Sequence, residues 1–296
     1  MDVLSDVISA MRTGRPFANR EDRAGNWHTP FEAFAGAGFH VVLQGSCQLV
    51  PPTGPPTVLS AGDVVLTPRG TEHSLTGQGP GTATSLLCGA YQMDQSRPHP
   101  LLAALPEIIH LPAQVGRHPS LSSAVALLGG ELQASQPGGD AAVPTLLDLL
   151  LLYLLRAWLK DEADGGTSGW SAALGDPAIN RALSAIHGDP SRLWTVEDLG
   201  REAHLSRAAF SRRFTALVGE PPLTYLTWWR LTVAARLLRD CDAPLSSVAQ
   251  QVGYSSAYAF ANAFKRAHGI APGQYRHERR AGQDTTQWPV TATTTA

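Results

Sequence analysis

Two stretches near the C-terminus carry basic and hydrogen-bonding side chains at spacings that could grip a polyanion. On a 3.6-residue period, SRAAFSRRFTALVG, starting at Ser206, sets Phe210, Phe214 and Leu217 on one face and Arg207, Ala208, Ser211 and Arg212 on the other. SSAYAFANAFKRAHG, starting at Ser255, repeats the plan: Phe260 and Phe264 turn inward, and Ala257, Tyr258, Ala261, Asn262 and Lys265 outward. The positive charge in this half of the chain is almost entirely arginine, whose planar fork suits bidentate recognition of phosphate or guanine better than diffuse attraction.

Each stretch needs a partner helix to position it. Upstream of the first, Thr195 caps a short helix with Asp198 three residues on, a variant of the capping box, and Val196, Leu199 and Ala203 face a core. A tight turn over 203–205 follows, and Ser206 caps the second helix. Upstream of the other stretch, Ser246 starts a short helix, Gly253 relaxes the turn, and Ser255 or Ser256 starts the next helix. Two short helices joined by a tight turn, the second polar on its outer face, make a helix-turn-helix. The frame is doubled: Phe210, Phe214, Gly219, Pro222 and Tyr225 recur as Phe260, Phe264, Gly269, Pro272 and Tyr275. Between the units, PLTYLTWWRLTVAARLLRD, Pro222 to Asp240, has apolar residues at helical spacing and predicts a connecting helix that fixes their separation.

The net charge of −2 conceals an asymmetry. Residues before Asp176 sum to roughly −6 and residues 176–281 to roughly +5, which pairs a weakly acidic half with a basic nucleic-acid reader. A chain of 296 residues predicts two domains. HVVLQGSCQLV, TVLSAGDVVLTP and TATSLLCGAY, between about Trp27 and Tyr91, are short β-rich runs broken by Gly and Pro, and predict an antiparallel β-sandwich or barrel. Residues 121–162 turn helical; within them LLDLLLLYLLRAWL, Leu146 to Leu159, is too short to span a bilayer and carries Asp148 and Arg156, so it predicts a buried or dimer-forming helix and no membrane partner. The expected divisions are a sensor and dimerisation domain over 1–164, a linker over 165–175 with its Gly-rich start at 165–169, a DNA-binding domain over 176–281, and a disordered tail over 282–296. Three cysteines without metal-type spacing, and an amphipathic rather than signal-like N-terminus, suggest a reducing, cytoplasmic compartment.

RLTVAARLL, SSVAQQVGYSS and AFANAFKRAHGIAPGQYR, in that order, resemble the signature of the AraC/XylS family of bacterial transcription regulators over about a hundred residues. The resemblance implies a non-enzymatic, sequence-specific regulator whose two helix-turn-helix units enter successive major-groove segments of an operator in double-stranded DNA, with a homodimer and RNA polymerase as further partners. By position, Ala208, Ser211 and Arg212, then Ala257, Tyr258 and Asn262, would meet base edges. Arg212 suits guanine and Asn262 adenine. Ser206, Ser256, Arg207, Arg213 and Lys265 would touch phosphate. Ala208 stands where many family members carry a larger side chain, which leaves room for a thymine methyl.

GDVVLTPRGTEHSL, with Gly62, Pro68, Gly70 and His73, resembles the second motif of the cupin barrel, in which the histidine points inward to a metal. The first cupin motif is poorly kept: FHVVLQGSCQL retains the strand and Gly45 but only His40 of the usual ligands. The fold class is therefore α+β with two domains, a cupin-like antiparallel β-barrel plus helical segment followed by an all-α double helix-turn-helix. His40 and His73, with His28 on a preceding strand, give an incomplete divalent-metal site. Cys47 and Cys88 lie on strands, as in an AraC/XylS subgroup with members that respond to oxidants or electrophiles, so the signal is either an oxidant or a small molecule bound inside the barrel. Cys241, at a helix end, reads as a bystander. The alternative is a metal-dependent cupin enzyme with an accessory helical domain, against which the lost first motif argues.

Overall fold

The computed structural model describes residues 2–77, 79, 83–94, 98–114, 116–134, 137–164 and 169–281. These form two compact units. One is a β-rich body from Arg12 to Asp94 and from Leu105 to Asp161. The other is helical: the chain from Glu162 onward, joined by the N-terminal residues through Met11 and the segment that ends at Ala104. Of the expected linker, 165–168 lie outside the described residues, and the expected tail over 282–296 does so entirely. The rest of the linker is folded. Trp170–Gly175 forms a helix with Trp170 and Ala173 buried, an apolar stake the Gly-rich sequence before it does not announce.

The β-rich body holds nine strands, β1 (Phe17–Ala24), β2 (Trp27–Phe31), β3 (Gly36–Gln44), β4 (Ser46–Val50), β5 (Thr57–Ser60), β6 (Val64–Thr67), β7 (His73–Gly77), β8 (Ala83–Gln92) and β9 (Ile109–Leu111). They pair antiparallel into a five-stranded sheet, β1-β8-β3-β6-β9, and a four-stranded sheet, β2-β7-β4-β5. The cupin-like β-domain expected from the sequence is built as two sheets, and no ladder among the described residues joins β1 or β9 to β2 or β5. What holds the sheets together is side-chain packing. Phe31, Leu49, Leu59 and Leu75 from one sheet and Val42, Val65, Leu86 and Cys88 from the other form one buried cluster. Along β8 the alternation of side chains sends Leu86 and Cys88 into this cluster and Leu87 and Tyr91 to the opposite face, where Tyr91 packs on Phe39. Both faces of the five-stranded sheet are therefore covered, which is why β3 and β8 read as almost continuous apolar runs.

Two helices, α3 (Pro119–Ala134) and α4 (Gly139–Asp164), follow. The Tyr91 hydroxyl donates to the Leu147 carbonyl of α4 at 2.6 Å, and Arg12 is ion-paired with Asp148. At 26 residues α4 is longer than the apolar run within it and, by length and composition alone, could cross a membrane. Its Leu147, Leu150, Leu151, Leu154 and Leu155 are buried instead inside the β-rich body. That places the strongest part of the apolar stripe in the unit's own core.

The helical unit contains α1 (Val3–Met11), α2 (Pro100–Ala103), α5 (Trp170–Gly175), α6 (Pro177–Gly188), α7 (Val196–Glu202), α8 (Arg207–Val218), α9 (Pro222–Asp240), α10 (Leu245–Gln251), α11 (Ala257–His268) and α12 (Pro272–Ala281). Every position of the doubled frame is structural. Phe210, Phe214 and Tyr225 are fully buried, and so are Phe260, Phe264 and Tyr275. Gly219 and Gly269 end α8 and α11 in left-handed conformation, donating to Thr215 and Lys265 carbonyls. Pro222 and Pro272 open the next helix, and the tyrosine one turn on packs edge-on against Phe214 or Phe264.

The helix-turn-helix turns match bond for bond. Ala203, His204 and Leu205 N–H groups donate to Leu199, Arg201 and Gly200 carbonyls, and Val252, Gly253 and Tyr254 donate to Val248, Gln250 and Ala249. Both turns need a left-handed residue: Gly253 has φ 79° and His204 φ 55°. A methyl group on Gly253 would also lie 2.7 Å from the Ser191 carbonyl oxygen. In urea unfolding, Gly253→Ala should cost more than about 2 kcal/mol, whereas His204→Gly should raise stability by about 0.5–1 kcal/mol as the Cβ conflict disappears.

Candidate nucleic-acid interface and sensor core

With Phe210 and Phe214 inward, α8 exposes Arg207, Ala208, Arg212 and Arg213, and Ser211 is half-buried. With Phe260 and Phe264 inward, α11 exposes Tyr258, Asn262, Lys265 and Arg266, and Ala257 is half-buried. Tyr258 stands 78% exposed, a large aromatic ring with no packing role. Ser206 and Ser256 are N-caps whose hydroxyl oxygens accept from Ala209 and Ala259 N–H. Their hydroxyl protons remain available, and the free N–H groups of each first turn add a positive pole beside them.

Arg213 differs from the other basic residues on α8. Its guanidinium is held by Asp176, with Nε 2.7 Å from Oδ2, and Asp176 also caps α6 by accepting from Ala178 and Ile179 N–H. Burial pushes the Asp176 carboxyl up, but those amides and the guanidinium outweigh it and hold it below the usual carboxylate range. Arg213 is therefore a structural cation at the α6–α8 contact. Arg230, leading the motif on α9, is likewise engaged: it donates to Pro190 and Arg192 carbonyls and fixes the loop ahead of α7. The sequence marks both as basic and gives no sign of either partner, because Asp176 and the 190–192 loop are remote along the chain.

In the β-rich body the structure brings His40, His73 and Cys88 together and sets Cys47 in the same core cluster. His40 and Cys88 face each other across β3 and β8, and His73 comes from β7 of the other sheet. His73 Nδ1 lies 2.7 Å from the Thr71 carbonyl, which can only accept, so that nitrogen carries the proton. His73 Nε2 then accepts from His40 Nε2 at 2.7 Å, and His40 Nδ1 is left to accept from the Cys88 thiol at 3.1 Å. Burial holds both imidazoles neutral, pulling His40 well below the ordinary value, with His73 beside it adding to the effect. The result is one polar chain, thiol to imidazole to imidazole to carbonyl, crossing between the sheets. His28 lies on β2, exposed and outside it.

A divalent metal does not fit these residues. The two Nε2 atoms point at each other, Cys88 binds the far nitrogen of His40, and no group of three or more candidate ligands occurs among the described residues. Cys47 lies on β4 and Cys88 on β8, strands of different sheets, and both are buried free thiols. Burial pushes the Cys47 thiol up to about 11, with Asp63 contributing, and pushes Cys88 well above the ordinary range. Cys241 Sγ sits at the end of α9, bonded to the Leu237 carbonyl.

The Cupin family profile matches residues 2–160 and a helix-turn-helix domain profile matches residues 199–278. A protein of Streptomyces lividans named as an AraC-like transcription regulator is 34% identical over 93% of this chain and 98% of its own length. The chain belongs to the AraC/XylS family. A further family member, the RCS-specific HTH-type transcriptional activator RclR of Escherichia coli, is 31% identical over 86% of this chain and 90% of its own. The solved DNA-binding domain of AdpA in complex with a target DNA is 33% identical, covers 38% of this chain and 99% of that one, and gives a TM-score of 0.35. As an AraC/XylS member the chain is a DNA-binding transcription regulator. Arg266, exposed beside Lys265, joins the candidate phosphate contacts that sequence reasoning omitted. Its signal was present in the basic pair itself.

Arg212→Ala should cost about 1–3 kcal/mol of operator binding and relax preference at one base pair, whereas Lys265→Ala should weaken all sequences alike and lower the salt slope by about one unit. Competition against a randomised operator library measures both. Asp176→Asn keeps the cap oxygen and removes the charge. Because the native carboxyl sits below its unfolded value, the charge contributes fully above the unfolded value and is lost as pH falls through the native one. The variant should therefore be about 1 kcal/mol less stable than wild type at neutral pH, with the gap closing in acid, as urea titrations across pH will show.

Proposed function

We propose that the chain is a cytoplasmic, non-catalytic homodimer that reads an operator with both helix-turn-helix units and acts on RNA polymerase there. One observation carries the reading: an identical buried frame presents two unlike outer faces, an arginine-rich one on α8 and a tyrosine-asparagine-lysine one on α11. Identical frames with unlike faces suit two different half-sites on one duplex. For the dimer, Leu127 on α3 is 60% exposed and Leu149 on α4 is 38% exposed, next to a leucine stripe that is itself buried. The non-catalytic reading is supported by relatives that are named as transcription regulators.

The signal is an oxidant acting at Cys88. Two-electron oxidation to a sulfenic acid replaces the thiol that donates to His40, enlarges the group in a packed strand, and disturbs a polar link between the sheets. With the thiol buried and its pKa raised, the reaction requires the sandwich to open. A second reading, a small apolar effector, is favoured by a cavity of about 280 Å³ between β6 and α3, lined by Val64, Leu111, Leu121 and Val125. Genome-wide mapping of bound DNA with and without oxidant yields the operator and tests the signal together. Cys88→Ser should abolish the oxidant response with basal DNA binding intact, and Cys241→Ser should change nothing. A full response in Cys88→Ser would transfer the signal to the cavity.

A further inference from the structure

The helical unit contains a second cavity, of about 600 Å³, within the size range of small-molecule sites. Its walls come from α2 and the residues flanking it, from the start of α5, and from the end of α8, the turn after it and the start of α9. Three aromatic rings line it: Trp170, buried; Tyr225, fully buried; and Trp228, half-buried. Leu217 and Val218, the last turn of the first reading helix, close one side. Glu220 is the one ionisable side chain among the lining residues besides Tyr225, and no lysine, arginine or histidine is among them. Burial holds the Tyr225 hydroxyl protonated, so the carboxylate alone sets the charge of the wall.

The aromatic rings are themselves locked in place. Leu101 N–H donates to His99 Nδ1, which leaves His99 Nε2–H to donate to the Tyr225 oxygen at 2.9 Å. The Tyr225 O–H then donates to His187 Nε2 at 2.7 Å. Trp170 packs edge-on against His99 at 4.7 Å and Trp228 does so at 4.9 Å. The wall therefore offers aromatic surface, chiefly that of Trp228, and one negative charge.

We propose that this cavity binds a flat aromatic molecule carrying a protonated amine, and that the site is an effector site on the reader itself. Rings of this kind stack on tryptophan, and an ammonium is drawn both to the π faces and to Glu220. Carboxylates and other anions are disfavoured by the same wall. Occupancy bears directly on the last turn of α8 through Leu217 and Val218, so ligand and DNA affinities are linked. The site is independent of the signal in the β-rich body.

The probe is 6-(aminomethyl)quinoline, with quinoline-6-carboxylate as its charge-reversed counterpart, titrated into the full chain by calorimetry. The amine should bind saturably at one site with Kd below about 1 mM, and the carboxylate should be at least tenfold weaker. Glu220→Gln should weaken the amine about fivefold. Ala104→Trp, an exposed position at the cavity wall, should fill the space and abolish binding while circular dichroism stays unchanged. Val58→Thr, exposed on β5 of the other unit, should bind as wild type does. Absence of saturable binding to wild type, equal binding of the carboxylate, or undiminished binding in both Glu220→Gln and Ala104→Trp would overturn the proposal.

Discussion

The helical unit depends on two tyrosines that never reach solvent. A helix-turn-helix of two short helices has too little apolar surface to hold itself together, so each copy borrows a ring from the helix that follows it: Tyr225 from α9 under Phe214, and Tyr275 from α12 under Phe264. A buried phenol must find hydrogen-bond partners, and here they lie outside the copy that owns the ring. Tyr225 is bonded to His99 and His187, and His187 faces Asp6 of α1 at 3.3 Å. Tyr275 is bonded to Arg239, whose other nitrogen donates to the Ala10 carbonyl, also in α1. The N-terminal helix is thus tied to both readers through the hydroxyls that hold them, which explains why the first eleven residues pack with the last hundred.

The β-rich body solves the opposite problem. Its two sheets have ample apolar surface, and the buried cluster between them would slide without a polar fixed point. The His40–His73 bond supplies one, and the Thr71 carbonyl at one end with the Cys88 thiol at the other sets which nitrogen donates at each step. Because every member is satisfied, the chain is tolerated in the core, and because every member is needed, changing one member alters the rest.

The two helix-turn-helix units combine one frame with two different surfaces. The two turns share their hydrogen bonds, the two reading helices share their caps and phenylalanines, and α9 carries one to the other. Outer positions are free to diverge because none of them supports the fold. Arg213 is the exception, an outward arginine recruited by the cap of α6, and it marks where counting basic residues on a helix face overstates the DNA contact.

By itself the sequence determined the elements whose signals are local: the caps at Thr195, Ser206 and Ser256, the glycines ending α8 and α11, the span of α9 from Pro222 to Asp240, and the inward phenylalanines of both reading helices. Periodicity and capping act over a few residues, so they can be read from a string. It also placed His40, His73, Cys47 and Cys88 on strands without revealing their order. Only the tertiary structure decided that Cys47 and Cys88 belong to different sheets, that His40 takes its proton acceptor from β7, that the barrel is a pair of sheets, and that α1 and the segment around His99 join the helical unit. Each of those outcomes pairs groups far apart in the chain, and their energy comes from burial and hydrogen bonds that exist only once the pairing is made.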